Sequence, residues 1–222
     1  MVQAHESLAE LAAAGPEVRS VLLRHRLDFC CGGRQSLAAA CERAGLATDA
    51  LVAEIEAALA SREATQDPRT LSVPELVEHI LERYHRPLPG QLAGVIAAAE
   101  KVEGVHHDKP HCPHGLAAHL RQFRDALLSH LAKEEGVLFP ALVQGRRGAP
   151  LQAPVGVMMH EHDEHATALR KTRELAHDLV PPEEACRTWR ALYEELARVE
   201  ADLMEHVHLE NHVLFPKALG GA

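Results

Sequence analysis

Apolar residues recur at helical spacing along most of the chain, in short runs first and in long runs later. The first sixty residues contain four short patterns, ESLAELAAAG, PEVRSVLLRHRL, RQSLAAACERAG and TDALVAEIEAALA. Two of them end on glycine, one begins with proline and one begins with a threonine N-cap, which are usual helix boundaries. The pattern predicts four short helices around a small core.

A polar segment without periodicity, residues 61–70, separates these short patterns from four long ones. The long helical stretches cover 73–103, 115–138, 155–179 and 183–214, and the proline-rich RPLPG is expected to kink or break the first of them. No stretch shows a strand pattern. We therefore predict an all-α protein with a small helical domain over 1–62, a linker over 63–72 and an up-down four-helix bundle over 73–222.

Composition supports helix and narrows the class of protein. The 222 residues are 46% hydrophobic but only 3% aromatic, and the formal net charge is −9. Abundant alanine and leucine favour helix, and the negative charge argues against a nucleic-acid binder. No apolar run has the length of a membrane span, and the N-terminus does not resemble a secretory signal, so a cytoplasmic protein without a membrane partner is expected.

Cysteine and histidine usage points to metal chemistry more than to disulfides. Five cysteines are too few for a disulfide framework in a chain of this length, so reduced thiols are expected. The 17 histidines are unusually many, and most of them lie between His79 and His212. Their distribution indicates that the last two-thirds of the chain uses imidazole.

A histidine and a glutamate four residues apart occur twice, in HLAKEEGVLFP and in HVHLENHVLFP. Residues i and i+4 share a helix face, so His130 with Glu134, and His206 with Glu210, can each point an imidazole and a carboxylate at one spot. One copy alone would be a surface pair or a complement to the helix dipole. Two copies favour a metal site inside a bundle, because buried histidine and glutamate are costly unless paired or metal-bound. The proline is expected to close each helix.

Two further segments offer ligands. VMMHEHDEHATAL contains three histidines, of which His162 fits the core-facing stripe, while His160 and His165 are expected on the polar face. HILERYHRPLPG contains His79 and His85, and the helical pattern alone does not choose between them.

The whole chain resembles the RIC (repair of iron centres) family through LDFCCGGRQSL, RYH, KVEGVHHDKP, HLAKEEGVLFP, EHDE, PPEEACRTW and HVHLENHVLFPKAL, which occur in the family's order. This resemblance implies a small domain with a Cys-Cys motif, followed by a haemerythrin-like four-helix bundle with a non-haem di-iron centre. The two irons would be bridged by carboxylates and by an oxo or hydroxo group. The implied metal ligands are His85, His106, His130, Glu134, His162, His206 and Glu210.

The ligand types suit iron, although they also admit zinc or manganese. His85 and His106 are separated by about 31 Å of unbroken helix, so both reach one site only if the chain turns between them, as a break at RPLPG would allow. The alternative is that His106 is not a ligand. KPHCPHG adds His111, Cys112 and His114, which are expected in a loop that leads into a helix. An auxiliary metal or redox role of this loop is the alternative.

Cys30 and Cys31 precede two glycines and a helix start in DFCCGGRQSL. The glycines permit positive φ and a tight turn, and adjacent cysteines make a strained disulfide. The two cysteines are either small buried residues at a turn or a site of reversible thiol chemistry that contacts a metal or a nitrosyl group. The resemblance favours the second alternative, with Cys30 and Cys31 as catalytic residues. Cys41 and Cys186 fall in helical patterns and are expected to pack.

The resemblance implies a stress-response protein that repairs iron–sulfur clusters after nitrosative or oxidative damage. Either the iron centre handles nitric oxide, with a reductase-like activity, or iron is delivered to the damaged cluster, and the sequence does not choose. The partners would be damaged iron–sulfur proteins, nitric oxide or oxygen species, and an electron donor, because no nucleotide-binding fingerprint is present. The alternative is a haemerythrin-like protein that binds or senses oxygen or nitric oxide. The small N-terminal domain is near the size limit for an independent core, so it is expected to pack either on the bundle or on a second subunit, and a homodimer is predicted.

Overall fold

A computed structural model describes residues 1–61 and 67–220 of the chain. Within these ranges the regular structure is helical, and no β-strand is present beyond an isolated antiparallel bridge between Ser7 and Ser36. The predicted all-α class is confirmed. Part of the linker predicted over 63–72 lies outside the described residues, and Pro68–Thr70 forms a 3₁₀ turn in the remainder. None of the described helices has both the length and the apolar character needed to cross a bilayer.

The chain divides into two compact units, of which the first combines Met1–Leu76 with Met204–Ala222. Local capping sets two of the helix ends in its N-terminal part. Ser7 and Glu10 form a capping box, and Gly45 adopts the left-handed backbone conformation that ends a helix. The apolar faces of four short helices meet in one core, as predicted. These helices are α1 Leu8–Ala12, α2 Pro16–Arg24, α3 Leu37–Ala44 and α4 Thr48–Ser61.

The second unit, Val77–Leu203, contains a bundle of long helices. Downstream of residue 72 the helices are α5 Val73–Ile80, α6 Leu88–Val105, α7 Leu116–Lys133, α8 Phe139–Val143, α9 Gln152–Leu175, α10 Arg187–Leu209 and α11 Phe215–Leu219. Within the second unit, apolar residues of α6, α7, α9 and the first part of α10 share one core, in which Trp189 is fully buried. The predicted four-helix bundle is confirmed.

Polar contacts between the bundle helices show that neighbours run in opposite directions. Glu103, near the end of α6, accepts a hydrogen bond from the backbone N–H of Ala117, near the start of α7, at 2.7 Å. His119, also near the start of α7, lies 3.0 Å from the hydroxyl of Thr172, near the end of α9. The end of one helix therefore lies beside the start of its neighbour, which is the up-down arrangement.

Three π-helical turns interrupt the helices in the described part of the chain, at Leu81–His85, Glu134–Leu138 and Glu210–Leu214. In each case the next residue donates its backbone N–H to a carbonyl five residues back, and a proline then follows. A proline has no N–H, and its ring collides with the carbonyl four residues back. The wider turn before each proline accommodates this ring. The prolines are Pro87, Pro140 and Pro216.

The helical path continues past these prolines, contrary to the prediction. After the second and third π turns the chain resumes as α8 and α11, with Pro140 and Pro216 in the first turn of each. At RPLPG the backbone of Arg86 and Pro87 stays helical and α6 begins at Leu88. The predicted closures are wrong, and of the predicted kink or break at RPLPG the break does not occur, because a proline in the first turn of a helix loses no hydrogen bond.

Candidate metal centre

Three histidines and a glutamate meet inside the second unit. His85 ends the first π turn, His130 lies in the last turn of α7, Glu134 begins the second π turn and His162 lies on α9. All four residues are at most 2% exposed. Burial of this many imidazole and carboxylate groups in one place requires partners or a cation.

The inward-facing ring nitrogens converge on one carboxylate. Nε2 of His130 lies 3.4 Å from Oε2 of Glu134 and 3.1 Å from Nε2 of His162. Nε2 of His85 lies 3.6 Å from the same Oε2 of Glu134. Two imidazoles from different helical elements therefore point at one oxygen atom.

The opposite nitrogens of the same rings are held by two other glutamates. Nδ1 of His130 lies 2.8 Å from Oε2 of Glu161, and Nδ1 of His85 lies 2.9 Å from Oε1 of Glu135. An ionised carboxylate accepts hydrogen bonds and donates none, so each Nδ1 carries a proton. In the neutral imidazole, Nε2 then carries the lone pair.

This arrangement fits a metal ion. Lone pairs on two Nε2 atoms that face Oε2 of Glu134 repel the oxygen unless a cation lies between them or each ring takes up a second proton. A divalent cation removes the repulsion and also compensates the charge of a glutamate that has no exposed surface. A histidine held at its outer nitrogen by a carboxylate is the usual arrangement around protein-bound metals.

The charge state of Glu161 supports its role as the hydrogen-bond acceptor for Nδ1 of His130. Burial alone would raise the pKa of the Glu161 carboxyl, but hydrogen bonds from Lys133 and His130 outweigh burial and lower the pKa. Glu161 is therefore ionised at neutral pH, and α9 holds the ring of His130 in a fixed tautomer.

The second copy of the His/Glu repeat lies in the first unit. His206 is in the last turn of α10 and Glu210 begins the third π turn, which is the local arrangement of His130 and Glu134. Nε2 of His206 lies 3.1 Å from Oε1 of Glu210, and both residues are buried. The repeat in the sequence is thus a repeat in local structure, with histidine and glutamate placed across the junction of an α-helix and a π turn.

His106 is placed apart from the other predicted ligands of the second unit. It caps the C-terminal end of α6, so about 31 Å of helix separates it from His85, and the chain does not turn back between them. Its Nε2 lies 3.2 Å from Sγ of Cys186, and its ring centroid lies 5.1 Å from that of Trp189. Cys186 lies just before α10 and not within a helix, but it packs against the bundle core as expected and contacts this imidazole.

The structure distinguishes between the remaining histidines. His85 is buried and His79 is exposed, a choice that the sequence pattern left open. His160 is exposed, as predicted for the polar face. The same prediction is wrong for His165, which is buried with its ring centroid 4.8 Å from that of His130.

KPHCPHG forms the loop that leads into α7, as expected. His111 and His114 are exposed, whereas Cys112 is buried. The ring of His111 faces that of His177 with 5.9 Å between centroids.

The two adjacent cysteines lie in a turn of the first unit. Their Sγ atoms are 3.7 Å apart, too far for a disulfide bond. Sγ of Cys30 donates to Oδ1 of Asp28 at 3.2 Å, and the backbone N–H groups of Cys30 and Cys31 donate to the same oxygen at 3.1 and 2.9 Å. The hydrogen bond with Cys31, burial and the charge of Asp28 together raise the pKa of the Cys30 thiol, which is therefore protonated at neutral pH.

Gly32 and Gly33 are needed for close packing and not for positive φ, which neither adopts. A Cβ on Gly32 would lie 2.9 Å from the carbonyl of Asp28, and one on Gly33 would lie 2.7 Å from Nε2 of His212. That nitrogen of His212 donates to the carbonyl of Cys30 at 2.8 Å. The positive φ that glycine permits is not used here, and the two glycines instead allow the turn to pack closely within the first unit.

Three acidic residues that bond to the predicted ligands and cysteines were not predicted, because a hydrogen-bond partner of a ligand has no fixed spacing from it in the sequence. Glu135 follows a predicted ligand directly, and Glu161 precedes one directly. Asp28 lies two residues before the first cysteine. An acidic residue next to a predicted ligand is the sequence signal that could have identified them.

Comparison with known proteins places these features in two known domains. Residues 76–218 match the family model described as the Hemerythrin HHE cation binding domain, and residues 4–59 match one described as a domain of unknown function, DUF542. The chain is 45% identical to the iron–sulfur cluster repair protein YtfE of Pectobacterium carotovorum subsp. carotovorum (strain PC1), with 100% of both chains covered. It is 42% identical to the YtfE protein of Yersinia pseudotuberculosis serotype O:1b, with 98% of both chains covered. The YtfE protein of Dickeya chrysanthemi (strain Ech1591) is 43% identical, with 97% of both chains covered.

Proposed function

Because the chain belongs to the family of YtfE iron–sulfur cluster repair proteins, we propose that it restores damaged iron–sulfur clusters by means of a non-haem di-iron centre. One observation supports the centre above all others. The buried carboxylate of Glu134 faces the Nε2 lone pairs of His85 and His130, whose outer nitrogens are already occupied by carboxylates. This donor set agrees with the cation-binding domain that the chain matches.

The proposed ligands come from both copies of the repeat and from two further histidines. The haemerythrin match spans 76–218 and includes all of them. Four imidazoles and two carboxylates are a suitable donor set for two irons in a helical bundle. His106 is omitted because its ring contacts Cys186 at the far end of α6. The set is His85, His130, Glu134, His162, His206 and Glu210.

When bound, two irons supply one-electron redox chemistry and a coordination position for a small ligand. The surrounding residues orient the donors and exclude water. Glu135 and Glu161 keep the protons of His85 and His130 on Nδ1, so that both rings present Nε2 to the site. Phe139 lies beside the ring of His85, with 5.4 Å between centroids, and shields it from solvent.

Two routes of repair agree with such a centre. In one, the centre removes nitric oxide and requires an electron donor. In the other, iron is the cargo and passes to a cluster that has lost it. We propose that Cys30 and Cys31 act in the second route, where an arriving metal ion would displace the thiol proton of Cys30.

The proposal also includes the cellular location and the oligomeric state of the protein. A cytoplasmic location suits cysteines that no disulfide joins. The homodimer stays a prediction, to be tested by the molar mass of the intact protein in solution.

The metal centre is tested by iron content. Protein purified without added metal should contain about two irons per chain, with the Mössbauer spectrum of a coupled ferric pair. His85→Gln should lose iron, whereas His79→Gln, an exposed histidine on the preceding helical turns, should retain it. Equal iron content in the two variants would contradict the assignment of His85.

The repair function is tested on a nitrosylated [4Fe–4S] enzyme. The loaded protein should restore its activity, and Glu134→Leu and Glu210→Leu should abolish this effect. Nitric oxide binding without any restored activity would support the binding or sensing alternative instead.

A further inference from the structure

We propose that Asp28, Cys30 and Cys31 form a second cation site, in which two thiolates and one carboxylate bind a divalent ion of borderline softness. The choice of ferrous ion as the natural occupant rests on the function proposed above, whereas the site itself rests on the geometry of the turn. The three residues lie within the first unit and share no ligand with the His/Glu centre.

The ligand atoms already have the spacing that one metal ion requires. One ligand atom from each of the three residues lies within 4.8 Å of the other two. Metal–sulfur bonds of about 2.3 Å at a tetrahedral angle place two thiolates about 3.8 Å apart. The observed Sγ–Sγ distance between Cys30 and Cys31 is 3.7 Å, and Oδ1 of Asp28 lies 3.2 Å from Sγ of Cys30.

Hydrogen bonds to the backbone of the turn hold these ligand atoms in place. The backbone N–H groups of both cysteines bond to Oδ1 of Asp28, which ties the carboxylate to the turn. The carbonyl of Cys30 accepts hydrogen bonds from His212 at 2.8 Å and from Asn211 at 3.3 Å. The backbone of the turn is therefore restrained at the residue that supplies the buried thiol.

The burial of the three residues suits a site that exchanges its ion. Cys30 is buried, whereas Cys31 and Asp28 are half-buried, so the cluster is partly exposed to solvent at these two residues. Structural zinc sites use four protein ligands, and a site with three leaves one position for a ligand from outside. A client cysteine or sulfide in that position could take over the ion, which is what iron delivery requires.

The competing explanation is a turn without a metal, in which the thiols and the carboxylate only bond to each other. Asp28→Asn separates the two explanations. The asparagine oxygen still accepts the two backbone N–H groups and so preserves the turn, but the negative charge that would bind a cation is removed.

The test uses Co²⁺ as the probe on the full-length, reduced protein under anaerobic conditions. Thiolate-to-cobalt charge transfer absorbs in the near ultraviolet, and the six proposed ligands of the His/Glu centre contain no sulfur. We expect the band in the wild-type protein and its loss in Cys30→Ser and Cys31→Ser. Asp28→Asn should weaken Co²⁺ binding at this band at least tenfold. Cys186→Ser is the matched control, because the thiol of Cys186 lies beside the imidazole of His106 and could bind Co²⁺ there. This substitution should leave the band unchanged.

Each outcome is decisive, provided that circular dichroism shows the variants to be folded. Absence of the band in the wild-type protein, or an unchanged affinity in Asp28→Asn, overturns the second cation site. A band that disappears in Cys186→Ser assigns the cobalt to another thiol and also overturns it. Because iron content and cluster repair are measured separately, a protein that repairs clusters without this band disproves the second site alone.

Discussion

The carboxylates behind His85 and His130 decide how well these imidazoles can bind a metal ion. A ring with its proton fixed on Nδ1 presents Nε2 without having to lose a proton or reorient. Glu161 is the better anchored of the two carboxylates, because it also bonds to Lys133 and its pKa is lowered. The metal affinity of the centre should therefore depend on a residue that does not touch the metal.

Glu161→Gln should lower the metal affinity of the protein about ten- to a hundredfold, since a neutral amide is a weaker acceptor and its NH2 group can also donate to Nδ1, so the proton of His130 is no longer fixed there. Competition with a chelator of known affinity measures this change. Glu164→Gln is the matched control, because Glu164 lies on the exposed face of the same helix beside His160. Equal losses in the two variants would show that His130 does not depend on Glu161.

His119 should contribute to the pH dependence of stability. Burial lowers its pKa below 6.5, so as the pH falls through this range the unfolded chain binds a proton that the folded protein does not. The contribution of His119 to the free energy of unfolding is therefore complete at pH values above its pKa in the unfolded chain. It is lost as the pH falls towards the lower pKa of His119 in the folded protein.

His119→Gln should therefore make the stability of the metal-free protein less dependent on pH between about pH 7 and pH 5. Urea unfolding at both pH values measures the slope. A slope equal to that of the wild-type protein would place the responsible protons on other groups.

The π turns link the prolines of the chain to its proposed ligands. Glu134 and Glu210 each begin such a turn, and His85 ends one. The turn adds one residue to the helix, which rotates the residues before it by about 100° relative to those after it. Proline therefore influences the direction of ligands several residues upstream.

Pro216→Ala should allow α-helical hydrogen bonding to resume and should reduce the iron content at least by half, without lowering the melting temperature of the metal-free protein. Metal analysis and thermal circular dichroism measure the two quantities. Pro154→Ala is the control, since Pro154 lies in the first turn of α9, where no π turn occurs. Full iron content in Pro216→Ala would show that the π turn forms without its proline.

Gly33 should be intolerant of a side chain because the cysteine turn is packed closely around it. Gly33→Ala places a Cβ 2.9 Å from that of Ala9 and 2.7 Å from His212, and should cost about 1–3 kcal/mol in free energy of unfolding. Gly94→Ala, inside α6 with no atom beyond the local helix backbone within 4 Å of its new Cβ, should stabilise the protein by about 0.5–1 kcal/mol. Urea unfolding compares them, and equal effects would contradict the close packing at Gly33.

Metal binding should be coupled to the stability of the whole molecule. The proposed ligands are buried, so an ion that binds only the folded chain shifts the unfolding equilibrium in its favour. At a free metal concentration a thousandfold above Kd, this shift is about 4 kcal/mol.

Removal of the metal with a chelator should lower the melting temperature of the wild-type protein, and added ferrous ion should restore it. Glu134→Gln should show no difference between the two conditions. Calorimetry with and without chelator tests this, and identical melting temperatures for the wild-type protein would mean that the centre does not contribute to folding stability.

Local spacing in the chain was sufficient to predict the helical class, the short and long helices and the repeated His/Glu pairs. Helix periodicity and the i,i+4 relation depend only on backbone geometry, so they are readable from neighbouring residues. The resemblance carried by the repeat and by the Cys-Cys motif extended this to the family, which the full-length relatives confirm.

Contacts between residues far apart in the sequence could not be predicted from local spacing. Glu161 and His130 are 31 residues apart, Glu135 and His85 are 50 residues apart, and nothing in their spacing marks them as partners. His85 differs from His79, and His165 from His160, only through the helices packed around them. The metal ligands proposed here could be identified from the pattern of their own helices, but their protonation and orientation depend on which carboxylates tertiary packing places behind them.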